Sequence, residues 1–246
     1  MKMNFSLQSI GCGDAFASLG EYHSAHLVHC EGKNILLDCG VTILHSMHAY
    51  QIDPLAIDVI VVSHFHGDHI GGFPFLLLKN VYQLNRTKPL LIFGPVGLRE
   101  RLRVLIEAMY PGNGDKMLSQ AYLSIQELSP NEKLNMDGLD IHLFKVDHGN
   151  SEEACGISIL KEDFKFVYSG DTSMSDILIN ELSDANMALL ECCSVEPLKG
   201  HMCQKDIDWI SDNMKIEKVF ICHQSEPISF RDVTVQKIKQ GETYVY

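Results

Sequence analysis

The sequence predicts an α/β fold, because strand-type and helix-type patterns alternate along the chain and the composition suits a buried core. Short β-branched apolar runs such as Val59-Ile60-Val61-Val62 are typical of buried strands. Longer segments carry apolar residues at helical spacing, as Ile207, Ile210 and Met214 do. The 246 residues are 46% hydrophobic and 21% charged, which suits a sizeable core. There is no repeat, low-complexity tract or linker, so a single domain over residues 1–246 is predicted.

Turn residues divide this pattern into elements. Alternating apolar and polar residues predict the first strand, and Glu31-Gly32-Lys33 predicts the turn of the hairpin that follows. Continuous apolar runs predict buried strands later in the chain. The predicted strands are 5–10, 26–30, 34–37, 58–62, 89–93, 122–126, 141–146, 156–160, 164–168, 187–191 and 219–223, and the predicted helices are 42–50, 73–84, 98–109, 175–182 and 203–214.

Charge and cysteine usage exclude several classes of protein. The net charge of −12 disfavours a broad binding surface for long nucleic acids. No run approaches the roughly 18 apolar residues of a membrane span, so no membrane partner is expected. The first ten residues do not have the pattern of a secretion signal. The eight scattered cysteines are therefore expected to be reduced thiols in a cytoplasmic protein, and the chain has no C-x-x-C pair typical of a zinc ribbon.

The densest group of metal-ligand residues follows the strand at 58–62. His64-Phe65-His66-Gly67-Asp68-His69 places three histidines and one aspartate within six residues. Histidine is the commonest metal ligand, and aspartate adds a hard oxygen donor suited to a divalent ion. The loop therefore predicts a metal site.

Other predicted strands also end in acidic or histidine side chains. Ligands of α/β proteins bind beyond the strand ends, where loops converge. Donors that stand at the ends of strands far apart in the sequence predict one metal centre, which forms when the chain folds. These strand-end residues are Asp38, His148, Asp171, Glu191 and His223.

The loop at 64–69 resembles the H-x-H-x-D-H signature of the metallo-β-lactamase superfamily, and the order of the later ligands is similar to that family's. The resemblance covers residues 5–225 and implies an αββα four-layer sandwich with two divalent ions. Zinc is the expected metal, with manganese or iron as alternatives. The resemblance also implies that a metal-bound hydroxide is the nucleophile and that Asp38 orients a ligand histidine. By this resemblance one ion takes His64, His66 and His148, the other takes Asp68, His69 and His223, and Asp171 bridges them.

Three further segments resemble the superfamily branch that contains ribonuclease Z and small cyclic-phosphate phosphodiesterases. They are residues 94–98, residues 167–172 and the Glu191/His201 pair. The resemblance implies that His201 donates a proton to the leaving alkoxide while Glu191 holds its imidazole, so the expected catalytic residues are Asp68, Glu191 and His201. Cys193 and Cys203 stand where that branch usually has threonine.

The expected substrate is a small phosphodiester: a cyclic phosphate, a cyclic nucleotide or a short nucleotide. Only residues 149–170 separate His148 from Asp171, which is too short for the tRNA-binding arm of ribonuclease Z. The alternatives are thioester or lactone hydrolysis of the glyoxalase II or lactonase type, ribonuclease Z-like tRNA processing, and non-catalytic metal binding. A β-lactamase is the least favoured reading.

The sequence leaves some roles open. His23 or His26 is a candidate for the substrate pocket, although His26 and His29 would face opposite sides of a strand. Cys39 and Cys222 are expected to be packing residues, and Trp209 is expected in the core. A homodimer is compatible with the sequence, which does not decide the oligomeric state.

Overall fold

The computed structural model describes residues 4–130 and 132–246. These residues form two compact units. Unit 1 is described over 4–12, 21–127 and 239–246, and unit 2 comprises Gly13–Gly20 and Leu128–Ile238. Compactness alone does not say whether two units unfold together, so the single domain predicted over residues 1–246 stays a prediction.

Unit 1 is built on a mixed sheet of seven strands. Strand β3 pairs antiparallel with β2, whereas β3, β4 and β5 run parallel, so loops that follow β3 and β4 leave the sheet at the same edge. The order across the sheet is β14-β1-β2-β3-β4-β5-β6. The strands are β1 Phe5–Gly11, β2 Ala25–Cys30, β3 Lys33–Leu37, β4 Val59–Val61, β5 Leu90–Pro95, β6 Leu123–Leu128 and β14 Thr243–Val245.

The helices of unit 1 cover one face of this sheet. Their apolar residues form one cluster with strand residues such as Leu36, Ile60 and Ile92, all of them fully buried. The neighbouring strand residues Ile35 and Val61 are buried as well, so both faces exclude water. This explains why the strands read as continuous apolar runs. The helices are α1 Ile43–Ala49, α2 Gly67–Ile70, α3 Phe73–Tyr82, α4 Leu98–Met109 and α5 Gly114–Leu118.

Unit 2 repeats this plan with a second seven-stranded sheet. Strands β10 to β13 run parallel, so the loops after β10, β11 and β12 share one sheet edge. The order is β13-β12-β11-β10-β9-β8-β7. The elements are β7 Lys133–Met136, β8 Leu139–Lys145, β9 Cys155–Lys161, β10 Phe164–Tyr168, α6 Asp176–Leu182, β11 Met187–Glu191, α7 Gln204–Asn213, β12 Lys218–Cys222 and β13 Val235–Lys237.

The predicted elements agree with the structure to within a few residues, apart from several short elements that the sequence did not predict. The short helices α2 and α5 and the strands β7, β13 and β14 are additional, because elements of three to five residues have too little periodicity to detect. Residues 149–170 contain two strands and no arm, as predicted. The prediction for Trp209 is wrong: its side chain is 43% exposed, because Ile207 and Ile210 form the buried face of α7.

Two expectations about the chemistry of the chain can be compared with the structure. All eight cysteines lie in the described ranges and are free thiols, as predicted. Within residues 4–130 and 132–246, none of the helices combines the length and the apolar character that crossing a bilayer requires.

Candidate metal centre

The loop after β4 gathers the first group of ligand-type residues in unit 1. His66 is the N-cap of α2, whose single turn carries Asp68 and His69 back beside His64. The His64 and His66 rings lie 4.7 Å apart, and those of His64 and His69 lie 4.1 Å apart. His69 Nε2 is 3.3 Å from Asp68 Oδ2. Sequence spacing alone could not predict this turn, which bends four donors into one small volume.

Asp38, at the end of β3, fixes the ring of His69. His69 Nδ1–H donates to Asp38 Oδ2 at 2.7 Å, and the same carboxylate accepts from the backbone N–H and the hydroxyl of Ser63, each at 2.8 Å. Because Nδ1 is engaged, Nε2 is the His69 nitrogen suited to a metal. Asp38 has a φ of +61°, which costs an L-residue free energy and directs this carboxylate toward the loop.

The same arrangement recurs at His64. The hydroxyl hydrogen of Ser63 is directed to Asp38, so His64 Nδ1–H donates to Ser63 Oγ at 3.0 Å. Nε2 of His64 is thereby also selected as the nitrogen for metal binding. Both histidines are fully buried, and a buried ring held this way loses little conformational freedom when it binds an ion.

The two pocket candidates near this loop have different surroundings. A Cβ at Gly40 would lie 2.4 Å from the carbonyl oxygen of Asp68 and 2.6 Å from Cβ of His23, so the glycine lets His23 approach the metal loop. His26 is fully buried and contacts Ser9, its Nδ1 lying 3.0 Å from the hydroxyl oxygen. His23 is therefore the better placed of the two, and its role in the pocket stays a prediction.

The strand ends of unit 2 gather the second group. Asp171, beyond β10, has Oδ2 3.3 Å from Nε2 of His223, which follows β12, and 3.9 Å from Nε2 of His148. His148 Nδ1–H donates to the carbonyl oxygen of Gly200 at 2.7 Å. Nε2 is again the nitrogen left for a metal, as in unit 1. All three side chains are at least nine-tenths buried.

The buried carboxylate of Glu191 and the partly exposed imidazole of His201 form a pair beside this group. His201 Nδ1–H donates to Glu191 Oε1 at 2.8 Å, and the backbone N–H of Thr172 donates to the same oxygen at 2.8 Å. The His201 ring lies 4.9 Å from that of His148 and stacks on that of His223 at 5.5 Å. The imidazole of His201 is thus held in contact with the rings of two ligand-type histidines.

The electrostatics of this pair favour a protonated imidazole. Burial by itself lowers the pKa of His201, but the hydrogen bond to Glu191 and the charges of Glu191 and Asp171 outweigh burial, so the pKa lies above its ordinary value of 6.5. A His201 that carries its proton can act as a general acid.

Burial raises the pKa of the Cys192 and Cys39 thiols well above their usual range, which suits packing residues.

Sequence reasoning missed one member of this neighbourhood. Cys193 Sγ lies within 4.8 Å of ligand nitrogens of both His201 and His223. The sequence predicts no function for Cys193, which stands where related sequences usually have threonine. Its position two residues after the strand-end Glu191 was the available signal, because side chains of residues 191 and 193 would point the same way in a continued strand.

The protein-family model described as Anti-Pycsar protein Apyc1 matches residues 5–244. The chain belongs to the Apyc1 family. An Apyc1 protein of Paenibacillus xerothermodurans is 36% identical over 258 residues, which cover 99% of this chain and 98% of that relative. The match to the Apyc1 family therefore extends over nearly the whole chain, including both groups of ligand-type residues.

Two further similarities extend the comparison beyond the Apyc1 family. A ribonuclease Z of Clostridium beijerinckii is 39% identical over 99 residues, or 39% of this chain and 32% of the relative. The segments matched in two ribonuclease Z relatives span only about a third of each relative's length. The metallo-β-lactamase fold protein YhfI from Bacillus subtilis superimposes with a TM-score of 0.81 at 20% identity and full coverage of both chains. The predicted α/β metallo-β-lactamase fold is confirmed.

Proposed function

We propose that this chain is a binuclear metal-dependent phosphodiesterase that hydrolyses a small cyclic or nucleotide phosphodiester. The observation that carries the proposal is the hydrogen-bonded Glu191–His201 pair, whose imidazole lies beside the rings of His148 and His223. A thioester hydrolase needs metal ligands but has no use for this pair, because a thiolate departs without a dedicated acid. Membership of the Apyc1 family over residues 5–244 supports the same branch.

The donor chemistry fits divalent ions. His64, His69 and His148 each have Nδ1 engaged by an oxygen, which presents Nε2 to a metal. Imidazole and carboxylate donors suit zinc, with manganese and iron as alternatives. We propose two ligand sets that follow the order of the superfamily's ligands. The proposed sets are His64, His66 and His148 for one ion, Asp68, His69 and His223 for the other, with Asp171 shared.

When bound, such ions would supply Lewis acidity and lower the pKa of water toward about 7. The chain's own residues do the rest. His201 transfers its imidazole proton to the leaving oxygen, which is a poor leaving group without it. Glu191 holds the imidazole through Nδ1 and is itself fixed by Thr172. Asp68 lies beside His69, where it would hold metal and orient the attacking water.

The substrate class follows from size and charge. Unit 2 has two strands and no inserted arm between His148 and Asp171, and the net charge is −12. Both features oppose a long polyanion, whose binding depends on many basic contacts. A cyclic nucleotide or similar small phosphodiester needs only the site itself, so tRNA processing is the weaker candidate.

Asp38→Asn tests the proposed metal centre from outside its ligand set. The amide keeps the shape but loses the charge that holds His69 Nδ1–H, so we expect roughly 10–100-fold weaker zinc affinity. Bound zinc would be measured in buffers of defined free concentration. Asp58→Asn is the matched control, because Asp58 precedes β4 and pairs with Lys88 instead. Unchanged zinc affinity in Asp38→Asn would contradict the role of Asp38.

A substrate panel tests the reaction class. The purified, metal-analysed protein would be given bis(p-nitrophenyl) phosphate, 3′,5′- and 2′,3′-cyclic nucleotides, S-lactoylglutathione and a homoserine lactone. We expect turnover of phosphodiesters and at least 100-fold lower kcat/KM for the thioester and the lactone. Thioester or lactone turnover without phosphodiester turnover would overturn the proposal. Bound metal without turnover of any ester would favour a non-catalytic member.

Two further properties belong to the proposal. We expect a cytoplasmic protein, which the free thiols favour, since disulfides are rare in that compartment. A homodimer is one assembly that the sequence allows, and the oligomeric state is to be measured. Cell fractionation and light scattering of the purified protein measure these properties directly.

A further inference from the structure

A cysteine lies unused beside the proposed general acid. Cys193 Sγ, a ring nitrogen of His201 and a ring nitrogen of His223 all lie within 4.8 Å of one another. Cys193 takes no part in the reaction derived above, and its side chain is buried to 6% exposure. One thiol and two imidazoles form a donor set that zinc prefers, since thiolate and imidazole are typical zinc ligands.

The backbone holds Cys193 in this position from three directions. Its N–H donates to the carbonyl oxygen of Met202 at 3.0 Å, and its own carbonyl oxygen accepts from the N–H of Ser225 at 2.8 Å and from that residue's hydroxyl at 2.7 Å. Residues 194 and 203 form a β-bridge that closes the intervening loop. These contacts tie Cys193 to the segments that carry His201 and His223, so the three donors are pre-positioned.

We propose that Cys193, His201 and His223 form a third, inhibitory site for a thiophilic divalent cation such as zinc. An ion bonds to sulfur at about 2.3 Å and to nitrogen at about 2.0–2.1 Å, so small side-chain rotations bring these donors onto one centre. The thiol releases its proton to solvent on binding, and the imidazole of His201 binds through a lone pair instead of carrying a proton. The His201 side chain is 17% exposed, which gives the ion a path from solvent.

The consequence for turnover rests on the proposed role of His201. An imidazole bound to an ion cannot protonate the leaving oxygen, so excess zinc should inhibit an enzyme already loaded with catalytic metal. His223 belongs to both donor sets, and sharing it would weaken the catalytic centre further. Manganese should not inhibit in this way, because it prefers oxygen donors to thiolate. The site would make activity fall as free zinc rises.

A spectroscopic experiment tests the site without relying on activity. Cobalt(II) would be added to the metal-loaded protein, and thiolate-to-cobalt charge-transfer absorption would be recorded together with the number of bound ions. None of the seven proposed catalytic ligands is a cysteine, so this absorption reports an ion bound by a thiolate outside that ligand set. We expect it in the wild-type protein and its loss, with one ion fewer, in Cys193→Thr. Cys203→Thr is the matched control and should retain both.

Activity supplies the second readout. Phosphodiesterase activity would be measured at two equivalents of zinc and at excess zinc. Excess zinc should lower the activity at least tenfold in the wild type and in Cys203→Thr, and should leave the activity of Cys193→Thr nearly unchanged. Charge-transfer absorption that persists in Cys193→Thr, or its absence from the wild type, would overturn the site. Absorption with no turnover of any phosphodiester would retain the site and reject the proposed function. Thermal unfolding of each variant identifies any that fail to fold.

Discussion

Asp171→Ala should lose at least one of two bound ions per chain and lower phosphodiester turnover roughly a thousandfold. Asp171 Oδ2 lies 3.3 Å from His223 Nε2 and 3.9 Å from His148 Nε2, so one carboxylate serves both histidines. Without it, the ion proposed for His64, His66 and His148 would have no anionic ligand, and the other ion would keep only the carboxylate of Asp68. The loss of several kcal/mol of charge stabilisation corresponds to about three decades in rate.

Elemental analysis after dialysis, combined with steady-state kinetics, measures both effects of Asp171→Ala. Asp176→Ala is the matched control, since Asp176 is an exposed aspartate in the first turn of α6, only five residues further along the chain. The control should keep both ions and its activity. Two ions retained at wild-type affinity in Asp171→Ala would refute the shared role of Asp171.

His201→Ala should keep both ions yet slow the hydrolysis of substrates with poor leaving groups by roughly 10²–10⁴-fold. An alkoxide leaving from a cyclic nucleotide needs the proton of His201, whereas p-nitrophenolate is a stable anion and leaves without one. The effect on bis(p-nitrophenyl) phosphate should therefore be much smaller. The contrast between the two substrates, measured as kcat for each, is the signature of a lost general acid.

Two further variants separate this role from a structural one. Glu191→Gln should act in the same direction with a smaller effect, because the ring of His201 remains but loses its charged partner at 2.8 Å. His142→Ala changes a half-buried histidine of β8 that faces Glu181, and it should leave the leaving-group contrast intact. If His201→Ala lost metal, His201 would be a ligand and the proposed proton transfer would be wrong.

Much of the fold could be predicted from the sequence because its strands are buried on both faces and read as uninterrupted apolar runs. The positions of Asp38, His148, Asp171 and His223 at strand ends followed from the same runs. The one-turn helix α2 and the edge strand β13 could not be predicted, since neither is long enough to show a period. Their existence depends on tertiary packing rather than local propensity.

The finer chemistry of the candidate site depends on contacts between distant residues. The hydrogen bond from His69 to Asp38 joins residues 31 positions apart, and that from His148 to the Gly200 carbonyl joins residues 52 apart. No spacing rule predicts either contact, although both decide which ring nitrogen faces a metal. The approach of Cys193 to His201 likewise follows from the loop closed by the bridge between residues 194 and 203.

The central claim is that this chain binds two divalent ions and needs both of them to hydrolyse phosphodiesters. The most direct measurement is a zinc titration of the chelator-stripped protein, with bound zinc and 3′,5′-cyclic nucleotide hydrolysis measured on the same samples. We predict no turnover without metal and maximal turnover at two zinc ions per chain. Turnover that survives complete removal of metal, or full activity at one ion per chain, would contradict the claim.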